Sequence, residues 1–222
     1  MSSQNPFVFA AKLYRSIRRG EVIRAAYLSY HYSKLFLYGI VYRKNFVSSH
    51  SPVEMTVLGH EAPSGTGNFP ASPSLCRMLF GQIQFDSQTS LVDVGCGSGL
   101  VLFVAYTLGM RMLTGLEYGK EPADLARSNL HGIANIIHAD AFCYDYSESD
   151  IITFFSPFRG ELAKRFFDQI LKPSHKLITV NHDPVIEPVL SKLGFIRVFS
   201  FQHPIYKNFN GHVWLNPDCN QL

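Results

Sequence analysis

Two regimes of apolar patterning divide the chain. From residue 90 onward, short apolar runs alternate with stretches whose apolar residues recur every three or four positions. The runs predict strands at 90–94, 111–116, 135–139, 150–155, 175–181, 196–202 and 211–215. The spaced stretches predict helices at 98–108, 121–131, 160–171 and 185–193. Alternation of this kind implies right-handed βαβ units. The expected fold is α/β, with a doubly wound, seven-stranded, mostly parallel sheet. Only a short stretch near 204–210 joins the last two strands, too little for a helical crossover, so that pair should run antiparallel.

Ahead of this region the pattern is purely helical. Over 7–19, Ala10, Leu13, Tyr14 and Ile17 share one face and Lys12, Arg15 and Arg19 another, which predicts a short amphipathic helix ending near Gly20. Residues 21–45 predict a second helix, dense in aromatics (Tyr27, Tyr30, Tyr32, Phe36, Tyr38, Tyr42). The chain therefore divides into a basic, aromatic-rich helical extension at 1–50, a linker or lid at 51–72 and the α/β domain at 73–222. Pro52, Pro63, Gly65, Gly67 and Pro70 mark the linker. Ser72 followed by Pro73 fits a helix start, with Leu75, Met78, Leu79 and Ile83 turned inward.

Composition adds three constraints. Hydrophobic residues make up 46% and charged residues 17%, which suits a packed core and excludes a wholly disordered chain. The net charge of +3 is unevenly placed: 1–50 carry eight basic residues and one acid, while the remainder is net negative. Such asymmetry gives the extension a surface role of its own. Three readings fit residues 7–45: contact with an anionic membrane face, contact with RNA, or a solvated basic face on packed helices. Cys76, Cys96, Cys143 and Cys219 show no paired spacing, and the nine histidines form no ligand motif, so no metal is expected and a cytoplasmic location is. The apolar stretch 22–42 is interrupted by Arg24, His31 and Lys34, and is not expected to span a bilayer.

The candidate chemistry begins at Leu91-Val92-Asp93-Val94-Gly95-Cys96-Gly97-Ser98-Gly99, where an apolar strand runs through glycines into a helix. Glycines let the backbone turn sharply and approach a ligand. A dinucleotide fingerprint would need glycine or alanine at position 100, where Leu100 stands, so a nicotinamide-dependent oxidoreductase is the weaker alternative. A negative charge at Asp93 would repel a pyrophosphate and suits an ammonium group. Glu117 ends the next strand, 20 residues after Gly97, where an acid can accept from both ribose hydroxyls. Asp140, in His138-Ala139-Asp140-Ala141, ends the third and could accept from an adenine amine.

Together VDVGCGSG, LEYG and ADAF resemble the class I S-adenosylmethionine-dependent methyltransferases over about residues 66–215. The resemblance implies an S-adenosylmethionine cofactor held by Asp93, Gly95, Cys96, Gly97, Ser98, Gly99, Glu117, Tyr118, Asp140 and Ala141. It also implies a methyl acceptor beyond the fourth strand, at Ser156, Pro157 and Phe158. That segment is similar to the Asn/Asp/Ser-Pro-Pro-Tyr/Phe signature of amine methyltransferases, with one proline missing, and to its Asn-Pro-Phe version, with serine in place of asparagine. There a polar side chain and backbone carbonyls receive the target amine and an aromatic ring packs on it. The alternative is a plain turn in which Ser156 caps the next helix and Phe158 fills the core, which would leave a cofactor-binding protein without turnover. Thr66 and Asn68 could close over the cofactor, and Asn181-His182-Asp183-Pro184 could reach the acceptor or simply start a helix with Asp183 as its cap.

Overall fold

The computed structural model describes residues 22–46, 71–202 and 210–218. The predicted helix at 7–19, most of the linker, and Thr66 and Asn68 lie outside them.

Among the described residues the chain opens with helix α1 (Val22–Tyr42), followed by α2 (Pro73–Phe80). Strands and helices then alternate: β1 (Ser90–Val94), α3 (Leu100–Thr107), β2 (Met112–Glu117), α4 (Lys120–Asn129), β3 (Asn135–His138), β4 (Ile151–Phe154), α5 (Gly160–Ile170) and β5 (Lys176–Val180). A short helix α6 (Glu187–Lys192) and strands β6 (Ile196–Gln202) and β7 (Asn210–Leu215) complete the series. All seven predicted strands are present, within two residues of their expected bounds. The predicted helix at 185–193 is split into a 3-10 turn, Pro184–Ile186, and α6. Ser72 occupies the N-cap position of α2 with extended backbone, but its side chain makes no capping bond.

The sheet order is β3-β2-β1-β4-β5-β7-β6. Strands β1 to β5 pair in parallel. β7 inserts between β5 and β6 and runs antiparallel to both. The central parallel strands β1, β4 and β5 are buried along both faces, as expected where helices cover both sides of a sheet. One core gathers Leu79, Leu91, Leu102, Phe103, Val104, Ile151, Ile178 and Val213; the other gathers Val92, Val94, Phe154, Phe166, Phe167, Leu177 and Trp214.

Helix α3 explains how the extension is seated. Its residues Leu100 to Ala105 are all buried. A helix apolar all round needs a second cover besides the sheet. Tyr42 and Phe46 supply it, with ring centroids 5.0 and 5.3 Å from Phe103. Leu35 is fully buried in the same core.

Candidate functional site

Strands β3, β2 and β1 are adjacent and parallel, so Asp93 near the end of β1, Glu117 at the end of β2 and Asp140 just past β3 lie at the carboxyl ends of neighbouring strands. The glycine turn after β1 is bonded to the end of β2. Gly95 and Cys96 donate their backbone N–H groups to the Leu116 carbonyl at 2.8 and 3.0 Å. Gly97 donates to Glu117 Oε2 and Gly119 to Glu117 Oε1, both at 2.9 Å. One carboxylate thus spans the glycine turn and the start of α4. Two positions there require glycine. Gly95 (φ +72°) would bring a Cβ to 2.4 Å from Pro157 Cβ, and Gly99 (φ +83°) would bring one to 2.5 Å from Leu130 Cδ1.

Asp93 lies beneath this turn and is only 1% exposed. Thr153 donates its hydroxyl to Asp93 Oδ1 at 2.6 Å, while Oδ2 is buried and has no hydrogen-bond partner. Burial pushes the carboxyl up to about 7, against the pull of the Thr153 hydrogen bond and helped by the nearby Glu117 charge. A buried carboxylate oxygen without a donor is costly, and a ligand cation or donor removes that cost. This orphan fits the amino-acid end of the cofactor that the sequence resemblance implies.

The remaining predicted positions lie in the glycine turn and just past β2 and β3. The Asp140 side chain accepts from Phe142 N–H at 2.9 Å and caps the 3-10 turn Ala141–Cys143. The Ala141 carbonyl accepts from the Tyr146 hydroxyl at 2.9 Å, and His138 Nε2 lies 3.0 Å from the Tyr118 carbonyl. The Cys96 thiol is buried, and burial beside Asp93 and Glu117 raises it well above its ordinary value, so it stays protonated. Ser98 donates its hydroxyl to the Phe46 carbonyl at 3.3 Å.

Asn129 was not among the residues the sequence singled out. Its Nδ2 donates to the carbonyls of Asn45 (2.7 Å) and Ser98 (2.9 Å), and its Oδ1 accepts from Asn45 N–H at 2.8 Å. Asn45, three residues past α1, is thereby clamped to the glycine turn. The available signal was a buried amide on the face of α4 that also carries Ala123 and Ala126.

A second polar group lies at the ends of β4 and β5. Ser156 (φ +56°) and Asn181 (φ +52°) both have left-handed backbone. Ser156 Oγ donates to the Asn181 carbonyl at 2.5 Å. Asn181 N–H donates to the Asn210 carbonyl at 2.9 Å, and Asn210 N–H returns to Asn181 Oδ1 at 3.0 Å. Asn210 Oδ1 is buried with no hydrogen-bond partner. Ser156 does not cap α5: Arg159 holds the N-cap position, and Gly160 N–H goes to Asp183 Oδ2 at 3.2 Å. The Ser156 hydroxyl is engaged by the Asn181 carbonyl instead, and Pro157 packs against Gly95. Phe158 sits at the core rim, its ring centroid 5.1 Å from Phe154 and 5.4 Å from Phe166. Asp183 does cap, accepting from Val185 N–H at 3.2 Å.

Next to this group His182 Nε2 lies 3.1 Å from Glu187 Oε1, which also takes the Arg197 guanidinium at 2.7 Å. The rings of His182 and His212 are 4.8 Å apart. Burial lowers both imidazoles, His212 to about 4 with help from the neighbouring His182 and Arg197 charges. Among the described residues, no three or more His, Cys, Asp or Glu side chains are placed to hold a metal ion.

No family model matches the chain. It is 32% identical over 65 residues to the ribosomal protein L11 methyltransferase of Shewanella woodyi, a stretch covering 29% of this chain and 22% of that protein. The match therefore spans about a fifth of the relative's length. Among solved structures, the ribosomal protein L11 methylase of Lactobacillus delbrueckii subsp. bulgaricus aligns over 64% of this chain and 76% of its own, with TM-score 0.51 and 17% identity. The Salinibacter ruber RNA methyltransferase, solved with S-adenosyl-L-homocysteine, aligns over 68% and 95%, with TM-score 0.52 and 17% identity. The geranyl diphosphate C-methyltransferase of Streptomyces coelicolor aligns over 64% and 78%, with TM-score 0.53 and 11% identity. These likenesses establish the fold.

Proposed function

We propose that this chain, which has the Rossmann-like fold of class I methyltransferases, binds S-adenosylmethionine and transfers its methyl group to an amine nitrogen of a small molecule or protein lysine. The observation that carries the reading is Asp93: a buried acid with an unpartnered oxygen under a glycine turn, flanked by Glu117 and Asp140 at the ends of the next two strands. In this reading Asp93, the turn Gly95-Cys96-Gly97-Ser98-Gly99, Glu117, Tyr118, Asp140 and Ala141 hold the cofactor. When bound, the cofactor supplies a methyl group on a positively charged sulfur, ready for displacement.

The acceptor faces Ser156, Pro157 and Phe158. Carbonyl and amide oxygens at the ends of β4 and β5 orient an amine, and Phe158 packs against it. Methyl transfer needs positioning and exclusion of water more than a general base, so none is assigned. A protein acceptor is supported by the Shewanella relative, whose name gives it a ribosomal protein as target. The basic N-terminal region is part of the proposal as a surface for an anionic partner, membrane or RNA. Cys76, Cys96 and Cys143 are free, which fits a cytoplasmic location.

A second reading, a cofactor-binding protein without turnover, is favoured by one observation: the Ser156 hydroxyl already donates to Asn181. Isothermal titration with S-adenosylhomocysteine and with NAD tests the first step. Tight binding of the former, lost in Glu117→Ala and absent for NAD, is expected; no binding overturns both readings. Methyl transfer from labelled cofactor to a lysine-containing acceptor panel then separates them.

A further inference from the structure

Eight large hydrophobic side chains are exposed among the described residues, and six of them belong to α1: Tyr30, Phe36, Leu37, Ile40, Val41 and Tyr42. One face of α1 is already covered, since Leu35 is buried in the domain core and His31 and Tyr32 beside it are buried too. Leu37, Ile40 and Val41 fall at helical spacing on the opposite side. A surface helix ordinarily carries polar residues there, and one apolar on both sides has a second apolar neighbour.

The charges around the stripe say what kind. Residues 22–46 contain Arg24, Lys34, Arg43 and Lys44 and no acid. Lys34 and Arg43 are exposed, and Lys34 Nζ rests 4.6 Å from the centre of the Tyr30 ring. A second copy of the same face would set cations against cations with no acid to pair them. RNA would use the cations and tyrosines, but Leu37, Ile40 and Val41 offer nothing to stack on a base. An anionic lipid surface satisfies both parts, taking the aliphatic side chains at the acyl boundary and the cations at the headgroups. No helix among the described residues is long and apolar enough to cross a membrane. We propose that the outward face of α1 lies on an anionic phospholipid surface, with Leu37, Ile40 and Val41 inserted and Lys34 and Arg43 at headgroup level. The proposal does not depend on methyl transfer.

The test is flotation of the full chain with phosphatidylcholine vesicles, with and without phosphatidylserine. The wild type is expected to float with the mixed vesicles and to lose most of that binding in high salt. The double variant Leu37→Ser/Val41→Ser should reduce the floated fraction by about tenfold, by the loss of two buried aliphatic side chains. Lys34→Glu/Arg43→Glu should reduce it further on anionic vesicles alone. An unchanged near-ultraviolet circular dichroism spectrum confirms that each variant is folded. Three results would overturn the proposal: no flotation of the wild type, flotation indifferent to both double variants, or a dimer that the Leu37→Ser/Val41→Ser change dissolves without any vesicle binding. Gel shifts with single-stranded RNA that survive loss of the aliphatic pair, in a protein that does not float, would assign the face to RNA instead.

Discussion

Left-handed backbone occurs in both halves of the site, and the two halves obtain it differently. After β1 it falls on Gly95, Gly97 and Gly99, with φ of +72°, +55° and +83°. Glycine removes the strain there, and bonds to Leu116 and Glu117 on β2 hold the turn. After β4 and β5 it falls on Ser156 and Asn181, which carry side chains and are held by bonds to each other and to Asn210. Strain of roughly 1–2 kcal/mol at such a residue persists only where surrounding contacts over-determine it. The glycine turn thus avoids strain through residue type, whereas the turns after β4 and β5 hold strained residues through a network of side-chain bonds.

The largest effect should come from joining the two halves by force. Gly95→Val would drive side-chain atoms into Pro157 while imposing a side chain on left-handed backbone. A loss of about 3 kcal/mol is expected in urea unfolding. A much smaller loss would mean that Pro157 yields and that the halves are less tightly joined. Glu117→Ala comes next. It removes the acceptor for two backbone N–H groups, and S-adenosylhomocysteine affinity should fall by about 100-fold, on the scale of charge-assisted hydrogen bonds.

The turns after β4 and β5 can be tested through their own strain. Asn181→Val should cost about 2 kcal/mol, and Asn181→Gly about 1 kcal/mol, because glycine keeps the backbone and loses only the bond to Asn210. Equal losses in chemical denaturation would show that the network rather than the backbone sets the cost.

The halves should also differ in pH response. Burial raises Asp93 from 3.8 to about 7, so as pH rises between those values the unfolded chain releases a proton that the folded chain keeps, and stability falls. His212 is lowered from 6.5 to about 4, so as pH falls through that window the unfolded chain gains a proton that the folded chain refuses, and stability falls again. Asp93→Asn should flatten the first slope and His212→Gln the second, read from melting temperatures between pH 4 and 8. The smallest effect belongs to the exposed Lys120–Asp124 pair on α4, where Lys120→Ala should change stability by no more than about 0.5 kcal/mol.

This division also explains what could be read from the chain alone. The strands, the glycine turn and the acids at the ends of β1, β2 and β3 were legible because each has a local period or a short motif. The placement of β7 between β5 and β6 was not, since an antiparallel return is compatible with either edge. Ser156 illustrates a subtler limit. Its position after β4 was visible, but its bond reaches Asn181, 25 residues on, and no periodicity encodes it. Asn129 is harder still, because it bonds to Asn45 across 84 residues.

The Asn129 clamp gives the molecule a reciprocity. One amide restrains both the chain leaving α1 and the turn at Ser98, so the free energies of ordering the two are coupled through it. Whatever factor a ligand at the glycine turn gains from a seated extension, the extension gains the same factor from the ligand. In Asn129→Ala that shared factor would shrink toward one for both partners together.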